Sequence, residues 1–524
     1  MASPPDPQPR GPRQGPAPKD AGEASAAGPS LIGQGGCWRR AKAGRVALLI
    51  DSAAYFAAAM SVMRRARHSI LLLGWSFDPR TRLHPRPEEN DNAPDEIGNV
   101  LKALARGRPD LDVRVLIWKS ALPISATQHF FPHRAQAWFY GSPVRFRLDA
   151  SVPYGACHHQ KVLVIDDRIA FCGGDDFSID RWDTPAHLDY EPRRVMPGGK
   201  RHPPRHETMM MMDGDAARAL GDLARARWLR DTGHALPPPP PSDAPDPWPN
   251  WLAPDLERVE IAIARTEPAW RSRPEVNEVE VMHLTSILRA RRSIYLENQY
   301  LASPVLAEAL AERLAEAHGP EVVLVSAEHS PSYFDQMTMD QTRVSLLRRL
   351  RAADRHGRFR AYFPRTAQGG PIIVHSKVAV IDDRLVRIGS ANLNNRSGGF
   401  DTECDVAIEA RTAAEGAAIA QFRARLIAHW LAAAPGEVDA LIQARGLVEA
   451  LDALTANSLR LIPLRPVGVG PLGALIAAYH LGDPPDAADS WRPLMRRRRI
   501  AREVERLASG ASPSIVAGDP EVDH

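Results

Sequence analysis

Large apolar side chains are sparse in residues 1–44, where Pro, Gly and Ala dominate. Such a segment buries too little surface to offset its ordering entropy, so it reads as a disordered leader. The pattern then changes to short apolar runs spaced by amphipathic stretches. Asp51 or Ser52 caps a predicted helix, AAYFAAAMSVMRRARHS, which feeds the buried-strand run ILLLGWSF. In the second half of the chain EVMHLTSILRARRS feeds IYLENQYL by the same grammar. The strand-like runs VRVLIW and VRFRLD are answered by VVLVSA and FRAYFP, and the Met209–Met212 run reads as a further buried strand. Between the halves five consecutive prolines, Pro237 to Pro241, favour an extended spacer.

This grammar divides the chain into a leader (1–44), a first domain (45–235), a Pro-rich linker (236–250), a second domain (251–455) and a C-terminal extension (456–524) that holds a basic helix from Pro493 to Leu507. Strands alternate with helices in each half, so the fold class is α/β, a duplicated α/β/α sandwich. The closing units of the halves agree almost residue for residue: HHQKVLVIDDRIAFCGGDDFS against VHSKVAVIDDRLVRIGSANLN. Each contains His-x-Lys-(x)4-Asp, namely His159, Lys161, Asp166 and His375, Lys377, Asp382, followed by a glycine turn that ends in Asp176 or Asn392. Period-two alternation along KVLVI and KVAVI predicts His and Lys on one face of each strand. An imidazole beside an ammonium is a phosphate-handling pair, able to attack or donate a proton near neutral pH while the cation binds non-bridging oxygens.

Composition sharpens this reading. The 66 basic and 63 acidic residues nearly balance, which disfavours a dedicated nucleic-acid binder. Only seven of the basic residues are lysine, and two of these occupy matching motif positions, 161 and 377. A compact ammonium is therefore the group wanted there, and not the planar fork of arginine. Cysteines 37, 157, 172 and 404 lack metal or disulfide spacing and read as free thiols, and the pair His158-His159 lacks a third ligand at suitable spacing. No secretory signal or membrane-spanning run is present, so the expected location is cytoplasmic or peripheral to a membrane.

The doubled motif resembles the signature of the phospholipase D superfamily. ILLLGWSFDPR, FCGGDDFSIDRWDT, IYLENQYL and GSANLNNRS followed by DTECDVAI extend the resemblance over roughly residues 45 to 445. It implies two similar domains sharing one active site, no cofactor, no metal, and a monomer. It also implies a phosphohistidine intermediate, with His159 as nucleophile and His375 as general acid/base, although the residues alone fit either assignment. The catalytic set it implies is His159, Lys161, Asp166, His375, Lys377 and Asp382, within which Asp166 and Asp382 read as strand-end hydrogen-bonding groups. Asp176, Asn392, Ser390 and Gln299 are expected to meet substrate, with Glu207 and Glu403 as the carboxylates that orient the imidazoles. Family members show Gly-Ser-x-Asn where the first copy has Gly173-Gly174-Asp175-Asp176, and His-Asp where this chain has His206-Glu207. Trp75 and Trp182 fit either the headgroup cleft or the core, and Arg496–Arg499 either an anionic surface or a solvated helix face.

The segments look most like enzymes that hydrolyse phosphatidylcholine-type lipids to phosphatidic acid, with water or an alcohol as acceptor at a membrane surface and no nucleic-acid partner. A cardiolipin synthase-like phosphatidyltransferase and a phosphodiesterase or nuclease of the same superfamily are the enzymatic alternatives. An idle lipid-binding member is the non-enzymatic one.

Overall fold

The computed structural model describes residues 28–85, 95–120, 131–241, 243–330, 332, 335–456, 458–466 and 470–509. In chain order the strands are β1 (Arg39–Ile50), β2 (Ser69–Gly74), β3 (Asp112–Trp118), β4 (Arg145–Asp149), β5 (Val162–Ile165), β6 (Ile169–Gly173), β7 (Arg205–His206), β8 (Thr208–Asp213) and β9 (Leu256–Glu267). They continue with β10 (Val276–Asn277), β11 (Ser293–Glu297), β12 (Glu321–Val325), β13 (Phe359–Pro364), β14 (Ile373–Val374), β15 (Val378–Ile381), β16 (Leu385–Gly389), β17 (Glu403–Glu409) and β18 (Leu461–Pro463). The helices used below are α1 (Ser52–Met63), α2 (Gly214–Thr232), α3 (Glu278–Arg289), α4 (Pro304–Ala315), α5 (Gln341–Ala353), α6 (Ala413–Leu431), α7 (Pro471–Tyr479) and α8 (Pro493–Ala508).

Among the described residues, sixteen strands form one mixed sheet whose order repeats outward from its centre. One half runs β1-β8-β6-β5-β2-β3-β4 and the other β9-β17-β16-β15-β11-β12-β13, with β18 added at the far edge. The halves join where β1 and β9 pair antiparallel over Arg39–Val46 and Leu256–Ile263. Alternation along the strands feeds two faces. Val46 and Leu48 of β1 pack with α2 and α6 in a core common to both halves. Ala47 and Leu49 pack with α1 on the other face, where α3, α4 and α5 cover the second half. The result is the expected duplicated α/β sandwich.

Three expectations are corrected. The leader ends earlier than residue 44: Leu31 and Ile32 are buried against the second half, and residues 39–44 are the first part of β1. Backbone pairing with β9 supplies the stability that the sparse side chains of this stretch lack; residues 1–27 lie outside the described residues. The His-x-Lys segments precede their strands, because β5 begins at Val162 and β15 at Val378. Arg496–Arg499 is neither of the two readings as a whole. Arg496 is buried and donates to the Tyr479, His480, Asp489 and Ser490 carbonyls, Arg499 pairs with Asp486, and only Arg497 and Arg498 are exposed.

Asp166 and Asp382 hold corresponding turns. Both adopt left-handed backbone, φ 54° and 56°. The Asp166 carboxylate accepts the N–H groups of Arg67, His68 and Ser69 at 2.7 Å each, and Asp382 those of Arg291, Arg292 and Ser293 at 2.7, 2.6 and 2.9 Å. Each thus ties the helix-to-strand corner before β2 or β11 to the end of its motif strand, remote from the imidazole ring in function. Asp166→Asn or Asp382→Asn keeps the backbone preference but loses charge-assisted acceptors, and should lower unfolding free energy by about 1–3 kcal/mol in urea titration.

Candidate active site

Two short backbone pairings across the halves build the site. His158 bridges Thr402 in parallel register, so the His159 N–H donates to the Thr402 carbonyl at 2.9 Å. β14 pairs in parallel with β7, and the His375 N–H donates to the His206 carbonyl at 2.9 Å. The next residue on the receiving strand is a glutamate in both cases. His159 Nδ1 therefore lies 3.0 Å from both carboxylate oxygens of Glu403, and His375 Nδ1 lies 2.7 Å from Glu207 Oε1. Each imidazole takes its carboxylate from the opposite half of the chain.

His159 Nδ1 is hydrogen-bonded to its carboxylate, and His375 Nδ1 stands in close contact with its own without hydrogen-bond geometry, so in both rings Nε2 is the nitrogen left for chemistry. Both imidazole side chains keep some surface, 13% for His159 and 9% for His375, while Glu403 and Glu207 are sealed beneath them. Burial, then the nearby Lys161 and Lys377 cations, pulls His159 well below the usual histidine range. Burial, then Lys377, Arg181 and Arg205, does the same to His375. That each lysine acts on the other half's histidine brings the two motifs into one site. Burial pushes Glu207 up and Glu403 well up, against the cations and hydroxyls that hold them. It also pulls the Lys377 ammonium down to about 7, against the raising pull of Glu207 and with help from Lys161 and Arg181.

The lysines are fixed alike: Lys161 Nζ donates to the His159 carbonyl at 3.0 Å, and Lys377 Nζ to the His375 carbonyl. Their neighbours differ. Asp176 lies 3.2 Å from Lys161 Nζ and accepts the Trp75 N–H at 3.1 Å. Asn392, at the matching position, leaves its buried Oδ1 without a hydrogen bond. The supports of the two glutamates differ as well. Glu403 accepts from the hydroxyls of Ser390 and Ser397, the latter at 2.7 Å. Glu207 faces Gly174 and Arg181 at the corresponding positions, with Arg181 Nη1 donating at 3.1 Å. A Cβ on Gly174 would stand 3.0 Å from Glu207 Oε2, so glycine leaves room where the second half has a serine.

Two expected substrate contacts are otherwise engaged. The Ser390 hydroxyl donates to Glu403 and accepts the Cys404 N–H at 3.0 Å, which makes it a support of the carboxylate. The Gln299 amide donates to the Tyr300 hydroxyl at 2.8 Å. Trp75 stands edge-on to His159, with ring centroids 6.2 Å apart, and has Trp118 stacked against it, whereas Trp182 is in the core. Trp118, Arg181 and Ser397 were invisible to spacing arguments, although the repeat aligns Arg181 with Ser397 and could have flagged that pair. His158 lies 2.9 Å from Asp149 and 3.1 Å from the Thr402 hydroxyl.

The chain is similar in sequence and fold to several known proteins. A family model described as "Cardiolipin synthase, PLD-like domain" matches residues 284–430. The chain is 24% identical to phospholipase D2 of Bos taurus over 462 residues, covering 69% of this chain and 49% of that one. It is 24% identical to cardiolipin synthase A of Pseudomonas putida (strain W619) over 368 residues, covering 67% and 62%. It spans about half the length of the bovine enzyme and, at 31%, about a third of phospholipase D1 of Schizosaccharomyces pombe. The solved phosphatidylserine synthase of Haemophilus influenzae Rd KW20 shares the fold, with TM-score 0.50 and 15% identity over 79% of this chain and 95% of that one. The doubled motif, the family model over residues 284–430 and these relatives together support membership of the phospholipase D superfamily.

Proposed function

We propose that the chain is a phospholipase D that hydrolyses phosphatidylcholine-type glycerophospholipids and passes the phosphatidyl group to water or a small alcohol. The observation that carries this reading is the pair of imidazoles, each with Nδ1 within 3.0 Å of the other half's glutamate. In the proposed first step the lone pair of His159 Nε2 forms a bond to phosphorus. The bond to the headgroup oxygen breaks, and that oxygen takes the proton from His375 Nε2. In the second step His375 Nε2 removes a proton from water or alcohol, whose oxygen attacks phosphorus and releases His159. A neutral His159 suits the nucleophile, and a bound phosphodiester anion offsets the cations that depress His375, restoring the proton it donates. Lys161 and Lys377 bind the non-bridging oxygens as charge builds, with Asn392 beside them. No step calls on a metal or cofactor.

A lipid substrate is favoured by the surface near the first motif. Tyr154, five residues before His159, stacks on Trp491 with ring centroids 5.6 Å apart, and both rings are largely exposed. Leu494 and Met495 follow on α8, and Leu472 and Leu475 are exposed on α7, whose last residue Tyr479 carries the Arg497 guanidinium over its ring. Apolar tips flanked by arginines suit the headgroup layer of an anionic bilayer. Among the described residues no helix is long and apolar enough to cross a membrane, so this patch supports peripheral contact.

Three outcomes test the reading. Incubated with phosphatidylcholine vesicles, ethanol and no added divalent cation, the protein should form phosphatidylethanol and phosphatidic acid; cleavage of single-stranded DNA alone would sink the proposal in favour of a nuclease. His159→Ala should abolish the trapped phosphoryl-enzyme, while His375→Ala should slow its breakdown, and Lys161→Arg should cost at least about 100-fold in kcat with the fold intact. Because Lys377 sheds its proton near pH 7, the affinity of sulfate as a competing anion should fall as pH rises, by up to about tenfold per unit above that point. A flat profile from pH 6 to 9 would contradict the depressed lysine.

A further inference from the structure

Behind the His375–Glu207 pair lies a second cluster that the proposed reaction does not use. Asp51 at the end of β1, His187 in the loop after β6, His206 on β7 and His429 in α6 each bring one ligand atom within 4.8 Å of all the others. His206 Nδ1 is 2.8 Å from Asp51 Oδ1, and His187 Nε2 is 3.6 Å from Asp51 Oδ2. The imidazole centroids are 4.7 Å (His206–His429), 5.4 Å (His187–His429) and 6.0 Å (His187–His206) apart. Three imidazoles bound to one tetrahedral ion at about 2.0–2.1 Å place their centroids roughly 5 Å apart, so the rings already stand near ligating distance.

The atoms behind the rings fit the same purpose. His187 Nδ1 lies 2.9 Å from Asp183 Oδ2, and His206 Nε2 lies 2.8 Å from Glu297 Oε2. Each ring is thus gripped by a carboxylate on its far nitrogen and turns the near one to Asp51, the arrangement in which an outer carboxylate fixes the tautomer of a metal-bound histidine. The outer carboxylates are held in turn. Arg194 reaches Asp183 at 3.3 Å, and Glu297 accepts from the Tyr295 hydroxyl at 2.6 Å, the Ser376 hydroxyl at 2.9 Å and the Trp430 indole at 3.0 Å. Meanwhile Asp51 Oδ2 and His187 Nε2, on residues 1% and 2% exposed, make no hydrogen bond, and both buried ring nitrogens of His429 lack a side-chain partner. Three buried carboxylates, Asp51, Asp183 and Glu297, surround these atoms, with Arg194 paired to Asp183, and a divalent cation would meet the unpartnered Asp51 Oδ2 and His187 Nε2 together.

We propose that Asp51, His187, His206 and His429 form a binding site for one divalent transition-metal ion. Three imidazole nitrogens and a carboxylate oxygen, with no thiolate, favour zinc. Protein groups fill all four positions, which makes the site a structural one with no place for substrate. Its effect is to tie α6 of the second half to β1 and β7 of the first. Asp51 also accepts the Glu207 N–H at 3.1 Å, and the His206 carbonyl accepts the His375 N–H, so the ion steadies the backbone that carries one imidazole–carboxylate pair.

The full chain, purified without chelators and dialysed, should retain about one zinc per chain by elemental mass spectrometry. Removal with dipicolinate should lower Tm by several degrees, and zinc should restore it. Cobalt should give the intense visible absorption of a four-coordinate site. His429→Ala should lose the stoichiometric metal while keeping its circular dichroism. If that variant does not fold, Asp183→Asn should weaken zinc binding about 10–100-fold instead. Metal-free wild-type protein whose Tm ignores both dipicolinate and zinc would overturn the proposal and leave a hydrogen-bonded cluster. Retention of stoichiometric metal by both variants would overturn the ligand assignment.

Discussion

The site depends on a pair of backbone hydrogen bonds between segments that are far apart in sequence. The His159 N–H to the Thr402 carbonyl and the His375 N–H to the His206 carbonyl, each 2.9 Å, fix the register in which the halves meet. A one-residue slip of a strand turns every side chain to the other face. Here such a slip would replace Glu403 or Glu207 beneath its imidazole by a residue that cannot orient it. The β1–β9 junction holds the two half-sheets in place, but these two bonds decide which carboxylate serves which histidine. A half taken alone has an imidazole without its carboxylate and a carboxylate without its imidazole.

Within this two-fold frame the chemistry is unequal, and the inequality follows from a few substitutions. Two hydroxyls, Ser390 and Ser397, neutralise nothing but fill the acceptor positions of Glu403. A guanidinium, Arg181, takes the place of Ser397 beside Glu207, while Gly174 leaves an oxygen of that carboxylate unbonded. The Arg181 cation in turn is one of the groups that depress His375. Asp176 sits on Lys161 where Asn392 stands in the other half. Both lysines depress both imidazoles, but Arg181 and Arg205 act on His375 as well, whereas hydroxyls hold the carboxylate beneath His159. That difference supports giving the two imidazoles different tasks.

Much of this was legible in the sequence because repetition doubles a weak signal. His-x-Lys-(x)4-Asp at identical spacing, the helix-to-strand grammar and the scarcity of lysine pointed to the motif residues and to a duplicated α/β fold. Asp166 and Asp382 were readable as strand-end hydrogen-bonding groups, although the corners they hold were not. Glu207 and Glu403 were readable as the orienting carboxylates, but which histidine each serves was not. His159 and Glu403 are 244 residues apart, and periodicity carries no information on such a contact. Neither was the double duty of Ser390, which depends on the pleat bringing its hydroxyl to Glu403, nor the strand in residues 39–44, where tertiary pairing overrides a composition that reads as leader. The cluster of Asp51, His187, His206 and His429 was equally hidden, since its members come from four separate segments.

The exchange of carboxylates between halves is the central claim, and nitrogen NMR of the two imidazoles tests it most directly. In protein labelled with 15N at histidine, Glu403→Gln should shift the Nδ1 and Nε2 resonances of His159 and leave those of His375 nearly in place, while Glu207→Gln should do the reverse. The opposite pattern, in which Glu207→Gln moves His159 and Glu403→Gln moves His375, would show that each half completes its own pair and would contradict the account.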